Sequence, residues 1–429
     1  MTGIRLLLLG AGLSSAAATA SAQAPREPGS ELTVFLATMG PGDAVWEKFG
    51  HNAIWIRDAV TRTTIAYNYG MFDFRQERFI PRLVAGDMLY SMGVDEAEQQ
   101  LAAYSYYNRS VTLQRLDLTA AQRHSLREFL EWNWLPENRE YPYDPFRDNC
   151  STRVRDALDR ALGGALRNAL GGRPTGTTYR SHSLRLTAAA PATYAGLLLA
   201  LGLPTDEPID AWEESFIPME LARHLRSIRL ATETGDTRPL VAEETVAFAA
   251  DRADPLASPP DRFLHFLLAG LAFAGTLLLL TRRARTGRFA RASLGLAIFF
   301  WALTTGFFGV LLALLWLFTD HTAAYPNTNL LQVNPLGLLL AAAAPLAVVG
   351  SRLSRVARVA WPTALVLLAL SLLGAVLYAV PSLRQESGAL IAFVLPVHAA
   401  VVMALYRFRH RPASPGADAD PRVAAAAAA

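Results

Sequence analysis

The only cysteine of the chain, Cys150, lies in the polar stretch RDNCST at residues 147–152. The segment CSTRVRDALDRAL has apolar residues at helical spacing, and Asp148 or Asn149 is a favourable N-cap, so the thiol is predicted in the first helical turn. Free N–H groups and the helix dipole predict a lowered thiol pKa and a nucleophilic role there, and the backbone N–H of Cys150 would stabilise an oxyanion. The alternative is a small buried hydrophobic residue, the commonest fate of a free cysteine.

A nucleophilic thiol needs a base, and eight histidines are available. We favour His51, because Gly50 before it gives the backbone freedom at the start of a strand and leaves room beside the ring. His124 and His224 lie among charges on amphipathic helices, where we expect them to be solvated. The alternative for His51 is a hydrogen-bonded structural histidine.

A hairpin of two strands, GHNAIWIRD and TTIAYNYG, is predicted to carry this base and its partner. If Arg57 pairs near Thr64, Ala53 lies opposite Asn68, and the Asn68 side chain projects on the same face as His51. An asparagine there would hold the imidazole in one tautomer, as the third member of a Cys-His-Asn arrangement. A slip of one residue would turn Asn68 to the other face.

Other kinds of site lack support in the sequence. One cysteine and no His-x-x-x-His pair argue against a metal, and no Gly-rich loop of phosphate-cradling form joins a strand to a helix, so no cofactor is predicted. The formal net charge of +3 comes almost wholly from arginines beside apolar segments rather than from one basic face with interleaved aromatics. The sequence therefore predicts no nucleic-acid binding.

The elements that would position these residues indicate an α+β domain. LTVFLATM at residues 32–39 is predicted as a strand before the hairpin, and helical periodicity follows in AEQQLAAYSYYNRSV, TAAQRHSLREFLEWNWL and the Cys150 segment. YAGLLLALGLP is apolar but too short to cross a bilayer, so we expect a buried helix there.

Hydrophobic residues make up 52% of the chain and charged residues only 18%, which predicts membrane segments. The C-terminal part contains five apolar segments of about spanning length, at residues 263–281, 293–318, 333–350, 360–380 and 388–406. The loop after the first segment, the loop after the third and the tail are rich in arginine and are predicted to face the cytoplasm. The N-terminal domain then lies outside, in agreement with Arg5, the run LLLLGAGL and the A-x-A cleavage pattern ending at Ala22.

Several motifs together resemble those of a known family. KFGHNAIWIRD, YNYGMFDF, YPYDPFRDNCSTRVRDAL and ESFIPMEL, followed by five membrane segments containing FTDHTAAYPNTNLLQVNPL, resemble the Lnb family of periplasmic lipoprotein N-acyltransferases. The resemblance implies a permuted papain-like domain, similar to that of lecithin retinol acyltransferase, followed by an all-α five-helix transmembrane domain. It implies His51 as base, Cys150 as nucleophile, a membrane phospholipid as acyl donor and a lipoprotein as acceptor. It also implies a multi-pass protein of the bacterial inner membrane with its C-terminus in the cytoplasm.

The predicted organisation is a signal peptide at 1–22, a periplasmic Cys/His domain at 23–235, a linker at 236–262, the transmembrane domain at 263–411 and a disordered tail at 412–429. Substrate contacts are expected from Asn149 and Ser151, which flank the nucleophile, and from Asp320, His321 and Asn329 in the polar loop 319–335.

Two other functions fit the same residues. The first is a membrane-anchored cysteine hydrolase, acting on cell-wall peptide or as a phospholipase. The second is a tethered binding module in which Cys150 has no chemical role.

Overall fold

The computed structural model describes residues 27–73, 75–231, 235–349 and 355–409. The predicted signal peptide at 1–22 and the predicted disordered tail at 412–429 lie outside these ranges. The described part of the chain forms an α+β domain up to Phe248 and a set of five long helices from Phe263 onward. The predicted fold class, α+β followed by five transmembrane helices, is confirmed.

A seven-stranded antiparallel sheet forms the centre of the N-terminal domain, with strand order β11-β5-β1-β2-β3-β4-β6. Its strands are β1 (Leu32–Met39), β2 (His51–Asp58), β3 (Thr63–Met71), β4 (Leu89–Glu96), β5 (Val111–Leu116), β6 (Glu140–Pro142) and β11 (Val241–Phe248). Two small sheets pair β7 (Pro174–Thr178) with β8 (Pro208–Asp210), and β9 (Arg229–Ala231) with β10 (Thr237–Pro239).

The hairpin register agrees with the prediction. Arg57 lies opposite Thr64 and Ala53 opposite Asn68, with the turn at residues 59–62. Because side chains alternate between the faces of a sheet, His51 lies on the same face as Ala53, whereas Asn52 points to the opposite face. Strand β2 therefore presents neighbouring residues to two different layers.

Helices cover both faces of the sheet. The helices of this domain are α1 (Phe79–Ala85), α2 (Ala97–Tyr106), α3 (Ala120–Trp134), α4 (Cys150–Ala161), α5 (Ala165–Leu170), α6 (Tyr179–Leu186), α7 (Pro191–Ala200), α8 (Ala211–Glu214) and α9 (Pro218–Ser227). On one face the larger core joins Leu36 and Ile54 to Leu130 of α3 and Leu158 of α4. On the other face Trp55 and its neighbours pack with α2. This layering places α4 behind the strand that carries His51.

The predicted linker at 236–262 is wrong for the residues of β11. Val241–Phe248 pairs with β5 as an edge strand of the main sheet. Most of its side chains are exposed, so the strand lacks the apolar alternation that identifies a half-buried strand in a sequence.

Five helices in the described part of the chain are long and apolar enough to cross a membrane. They are built around α10 (Phe263–Arg283), α11 (Arg288–Phe318), α12 (Leu336–Val349), α13 (Arg355–Ala379) and α14 (Gly388–Arg409). The shortest, α12, is preceded by a 3-10 turn at Thr328–Leu331, which extends the span. The five predicted spans are confirmed.

The N-terminal domain is joined to the membrane helices by the loop after α11. The side-chain amides of Asn327 and Asn329 donate to the carbonyls of Leu198, Leu199 and Ala200, which end α7. Helix α7 is only partly buried, in contrast to the prediction: Tyr194 and Leu198 are buried, whereas Pro191, Ala192, Ala195 and Gly196 are exposed. Asn329 is fully buried in this contact and does not line the cavity described below, so its predicted substrate contact is not supported.

Candidate active site

Cys150 is the first residue of α4, as predicted, and Asn149 is its N-cap. The Asn149 Oδ1 atom accepts from the N–H groups of Ser151 at 2.9 Å and Thr152 at 3.0 Å. In return, the Asn149 backbone N–H donates to Thr152 Oγ1 at 2.7 Å. This capping box fixes the first turn and hence the position of the thiol.

A segment far along the chain supports the residues on either side of Cys150. The Asn149 amide donates to the carbonyl of Phe216, and the Ser151 hydroxyl donates to the carbonyl of Ser215. The predicted substrate contact of Ser151 is therefore corrected to a structural role, whereas Asn149 also lines the cavity described below and its substrate contact stays a prediction. Ser151 is fully buried, and the amide oxygen and nitrogen of Asn149 are both used within the protein.

Hydrogen bonds of Asn52 connect α4, which begins at Cys150, to β2, which begins at His51. The Asn52 Nδ2 group donates to Ser151 Oγ at 3.1 Å and to the carbonyl of Pro218 at 3.4 Å. Asn52 and Ser151 directly follow His51 and Cys150 in sequence. One buried hydrogen bond thus brings His51 and Cys150 to the same end of the sheet.

On the opposite face of β2, the His51 Nε2 atom lies 3.2 Å from Asn68 Oδ1. An amide oxygen only accepts, so Nε2 carries the proton and Nδ1 is left with a free lone pair. Asn68 Nδ2 donates to the Asp95 carboxylate at 3.3 Å, which fixes the orientation of the amide. Asn68 therefore occupies the predicted position on the face of His51 and holds one imidazole tautomer.

Two further residues hold this arrangement. The Trp55 indole N–H, which only donates, bonds to Gln100 Oε1 at 2.7 Å. The amide nitrogen of Gln100 is thereby directed to Asn68 Oδ1, to which it donates. A series of hydrogen bonds thus runs from Trp55 through Gln100 and Asn68 to His51. It fixes the orientation of both amides and the tautomer of the histidine.

The pKa values of His51 and Cys150 favour a neutral imidazole and a neutral thiol. Burial lowers the pKa of His51 to about 4, although the Asn68 hydrogen bond opposes this change. Burial raises the pKa of Cys150, and the backbone N–H groups of Asn52, Ser151 and Cys150 offset it only in part. The expected lowering of the thiol pKa is therefore wrong, because loss of water around the thiol outweighs the effect of the helix start.

Gly70 makes room for the thiol. It has φ +87°, and a Cβ atom there would lie 3.1 Å from the Cβ of Cys150. The pairing of β3 with β4 is also irregular between Asn68 and Met71. Only glycine adopts this backbone conformation readily, so Gly70 allows β3 to pass directly beside Cys150.

Cys150, His51 and Asn68 all line one cavity of about 1100 Å³. Aromatic side chains form much of its wall, including the stacked pair Tyr90 and Tyr143, whose ring centroids are 3.9 Å apart. The cavity is also bounded by Leu197, Ala200 and Leu201 around the end of α7, and by Leu315 and residues 320–324 of the membrane domain. It therefore lies at the junction of the two domains.

Asp320 and His321 line this cavity, as their predicted substrate contacts require. The His321 Nε2–H donates to the carbonyl of Leu83, and the backbone N–H of Asp320 donates to the carbonyl of Ala85. These bonds join the loop to α1. Within the described residues, no group of three or more His, Cys, Asp or Glu is arranged to hold a metal ion.

His224 was expected to be solvated, and the structure shows it to be buried. Its Nε2 lies 2.8 Å from Glu214, which also contacts His182 at 3.0 Å. Two hydrogen bonds from histidines and one from Thr177 lower the pKa of Glu214 against the effect of its burial. This buried network anchors the segment that supports Cys150, and only the ESFIPMEL motif indicated that segment in the sequence.

The fold and the cavity together define an integral membrane protein whose α+β domain holds a thiol, an imidazole and an amide at its junction with five membrane helices. Family models agree with this class. The Lnb N-terminal periplasmic domain matches residues 26–184, and the Lnb transmembrane domain matches residues 262–409. The chain belongs to the Lnb family, and its N-terminal domain is periplasmic. Searches of curated proteins and of solved structures gave no match.

Proposed function

We propose that this protein is a lipoprotein N-acyltransferase. It moves a fatty acyl chain from a membrane phospholipid, through a thioester on Cys150, to the α-amine of the lipid-modified N-terminal cysteine of a lipoprotein. The observation that carries the proposal is the placement of Cys150, His51 and Asn68 on one cavity that the membrane domain also lines. Membership of the Lnb family supports the same function.

In the first step, His51 Nδ1 accepts the thiol proton while the sulfur attacks an acyl ester carbonyl of the phospholipid. The backbone N–H of Cys150 stabilises the oxyanion. The ester C–O bond then breaks, and the imidazolium returns its proton to the glycerol oxygen of the departing lysophospholipid. The acyl chain remains on Cys150 as a thioester.

In the second step, the neutral amine of the acceptor attacks the thioester carbonyl. His51 accepts a proton from the amine nitrogen as the new C–N bond forms. The C–S bond breaks, and the imidazolium proton returns to the sulfur, which restores the neutral thiol and imidazole. The side-chain carboxylate of Asp320 at the cavity has no hydrogen-bond or ion-pair partner among the described residues, so it and the adjacent His321 suit the incoming amino group.

The position of the cavity favours a lipid substrate. Helix α1 exposes Ile80, Leu83 and Val84, and hydrogen bonds join it to the loop that follows the exposed Phe318 at the end of α11. An apolar helix surface beside the end of a spanning helix suits contact with the outer part of a bilayer. A phospholipid acyl chain then enters the cavity from the membrane.

The orientation follows from the arginines. Arg282 and Arg283 end the first span, Arg285 and Arg288 follow it, and Arg407 and Arg409 end the last span. We place these ends in the cytoplasm and the protein in the bacterial inner membrane. The order of the reactive residues, histidine before cysteine, supports a permuted papain-like domain of the lecithin retinol acyltransferase kind.

The test is acyl transfer by the purified full-length protein in detergent, with a phospholipid donor and a diacylated lipopeptide acceptor. Mass spectrometry should show an acceptor heavier by one acyl group, with the new chain on its α-amine. A lipopeptide with an acetylated amine is the matched control and should stay unchanged. Release of free fatty acid without transfer would favour the hydrolase, and inertness toward both substrates would favour a binding module.

A further inference from the structure

The charges around the cavity are unequal. Four carboxylates line it, and among its described lining residues Arg109 is the only lysine or arginine. The carboxylates belong to Glu47, Asp95, Asp144 and Asp320. An anionic ligand in this cavity therefore has one cation to bind.

Arg109 is held firmly in place. Its Nε–H donates to the carbonyl of Gly40 at 2.9 Å, and its Nη1 lies 3.4 Å from Glu47 Oε1. The guanidinium carbon is 4.6 Å from the centre of the Tyr104 ring. The residue is only 5% exposed, so these contacts fix the direction of its remaining donors.

One of those donors is unused. Arg109 Nη2 is buried and makes no hydrogen bond within the described part of the chain. Buried polar groups almost always have a partner, and an unsatisfied guanidinium nitrogen at a cavity wall indicates a group supplied by a ligand.

Arg109 is close to the reactive pair. The Tyr104 ring stacks on His51 with 6.2 Å between ring centres, which together with the guanidinium distance places the Arg109 carbon within about 11 Å of the imidazole. Burial is the main cause of the lowered pKa of His51 and of the raised pKa of Cys150. The positive charge of Arg109 adds to the lowering at His51 and opposes the rise at Cys150.

We propose that Arg109 binds the phosphodiester of the donor phospholipid and thereby places an acyl ester at Cys150. This inference rests on the proposed function. In a glycerophospholipid the phosphodiester lies a few bonds from the acyl esters, so a phosphate at Arg109 leaves an ester near the thiol. Arginine suits this role because its planar donors match phosphate oxygens.

The experiment compares two donors that carry the same acyl chains, phosphatidylglycerol and diacylglycerol, which lacks the phosphodiester. The rate of acyl-enzyme formation at Cys150 is followed by intact mass for each donor, and the ratio of the two rates is the readout. The wild type should prefer phosphatidylglycerol by roughly tenfold or more. In Arg109→Gln the ratio should fall to about one, and Arg109→Lys should give an intermediate ratio because a lysine is a point charge.

Arg252→Gln is the matched control. Arg252 donates to the carbonyls of Asn108 and Tyr107 beside the same turn but does not line the cavity, so its loss should not change the ratio. If Arg109→Gln does not fold, the test uses Arg109→Lys. A rate ratio in Arg109→Lys equal to that of the wild type overturns the proposal.

Four other outcomes are decisive. Equal use of the two donors by the wild type, or an undiminished ratio in Arg109→Gln, overturns the assignment of Arg109. Acceleration of the diacylglycerol reaction by inorganic phosphate assigns the site to a free anion instead of the donor's own phosphodiester. Failure of the wild type to form an adduct with either donor contradicts the proposed function, and the two failures are thus distinguishable.

Discussion

Asn52 donates a hydrogen bond of 3.1 Å to Ser151 across 99 positions of the chain. Each of these residues directly follows a reactive residue, His51 in one case and Cys150 in the other. Because side chains alternate along β2, Asn52 connects to the cysteine helix while His51 faces Asn68 on the other side of the sheet. The site is therefore assembled by the neighbours of the residues that react.

We expect Ser151→Ala and Asn52→Ala each to lower the free energy of unfolding by about 1–3 kcal/mol, since each leaves a buried polar group without its partner. The double variant should show a coupling energy of about 0.5–3 kcal/mol between the two positions. Denaturation of the detergent-solubilised protein gives these values. Thr61→Ala is the control, because its hydroxyl bonds Thr63 in the exposed turn of the same hairpin. Strict additivity of the two buried variants would contradict this account.

Gln100→Ala should slow acyl-enzyme formation by roughly 10- to 100-fold, within the range that general base catalysis contributes. The loss follows because Asn68 Oδ1 loses the Gln100 donor, so the amide is held through its Nδ2 group alone and the imidazole tautomer is less strictly fixed. Nitrogen NMR of histidine-labelled protein should show a mixture of tautomers in the variant. Glu98→Ala is the neighbouring control, since Glu98 is exposed on the same helix and does not line the cavity. A single unchanged tautomer in Gln100→Ala would exclude this positioning role.

Gly70→Ala should reduce acyl-enzyme formation by more than tenfold, because its Cβ would press on Cys150 and displace the thiol. Gly164→Ala separates this effect from backbone strain. Gly164 has φ +88°, close to the +87° of Gly70, and nothing lies within 4 Å of its added Cβ. Both variants should lose about 1–2 kcal/mol of stability, and only Gly70→Ala should lose activity. Equal activity of the two variants would show that the close approach at Gly70 is unimportant.

The pH dependence follows from the two pKa values. With the pKa of His51 near 4, the imidazole is neutral and able to accept a proton at pH 7, so the rate should fall only as the pH approaches about 4. The raised pKa of Cys150 means little thiolate at pH 7, so alkylation by iodoacetamide without substrate should be slow and should increase above pH 8.5, the usual thiol value. A stable thiolate at pH 6 would instead indicate a preformed ion pair.

The sequence predicted those parts of the site that depend on local structure. The cap at Asn149 follows from helix-start chemistry, and the register that places Asn68 with His51 follows from strand alternation across a four-residue turn. The five spans follow from length and apolar composition. Each of these features depends on residues close together in the chain.

Features that depend on distant contacts were not predictable. Ser151 and Asn329 look equally polar whether they meet substrate or a buried carbonyl, and only the folded positions of Ser215 and α7 decide between these roles. The raised pKa of Cys150 depends on how much protein surrounds the thiol, which the residues near it in sequence do not specify. Strand β11 was not predicted, because both of its faces are largely exposed and its sequence therefore lacks an alternation of apolar and polar residues.

The measurement that tests the central claim most directly is the intact mass of the purified protein after incubation with a defined phospholipid, for the wild type and for Cys150→Ser. We predict an increase of one acyl chain on the wild type alone, removed by neutral hydroxylamine as expected for a thioester. An equal adduct on Cys150→Ser, or none on a folded wild type that receives phospholipid, would contradict acyl transfer through Cys150.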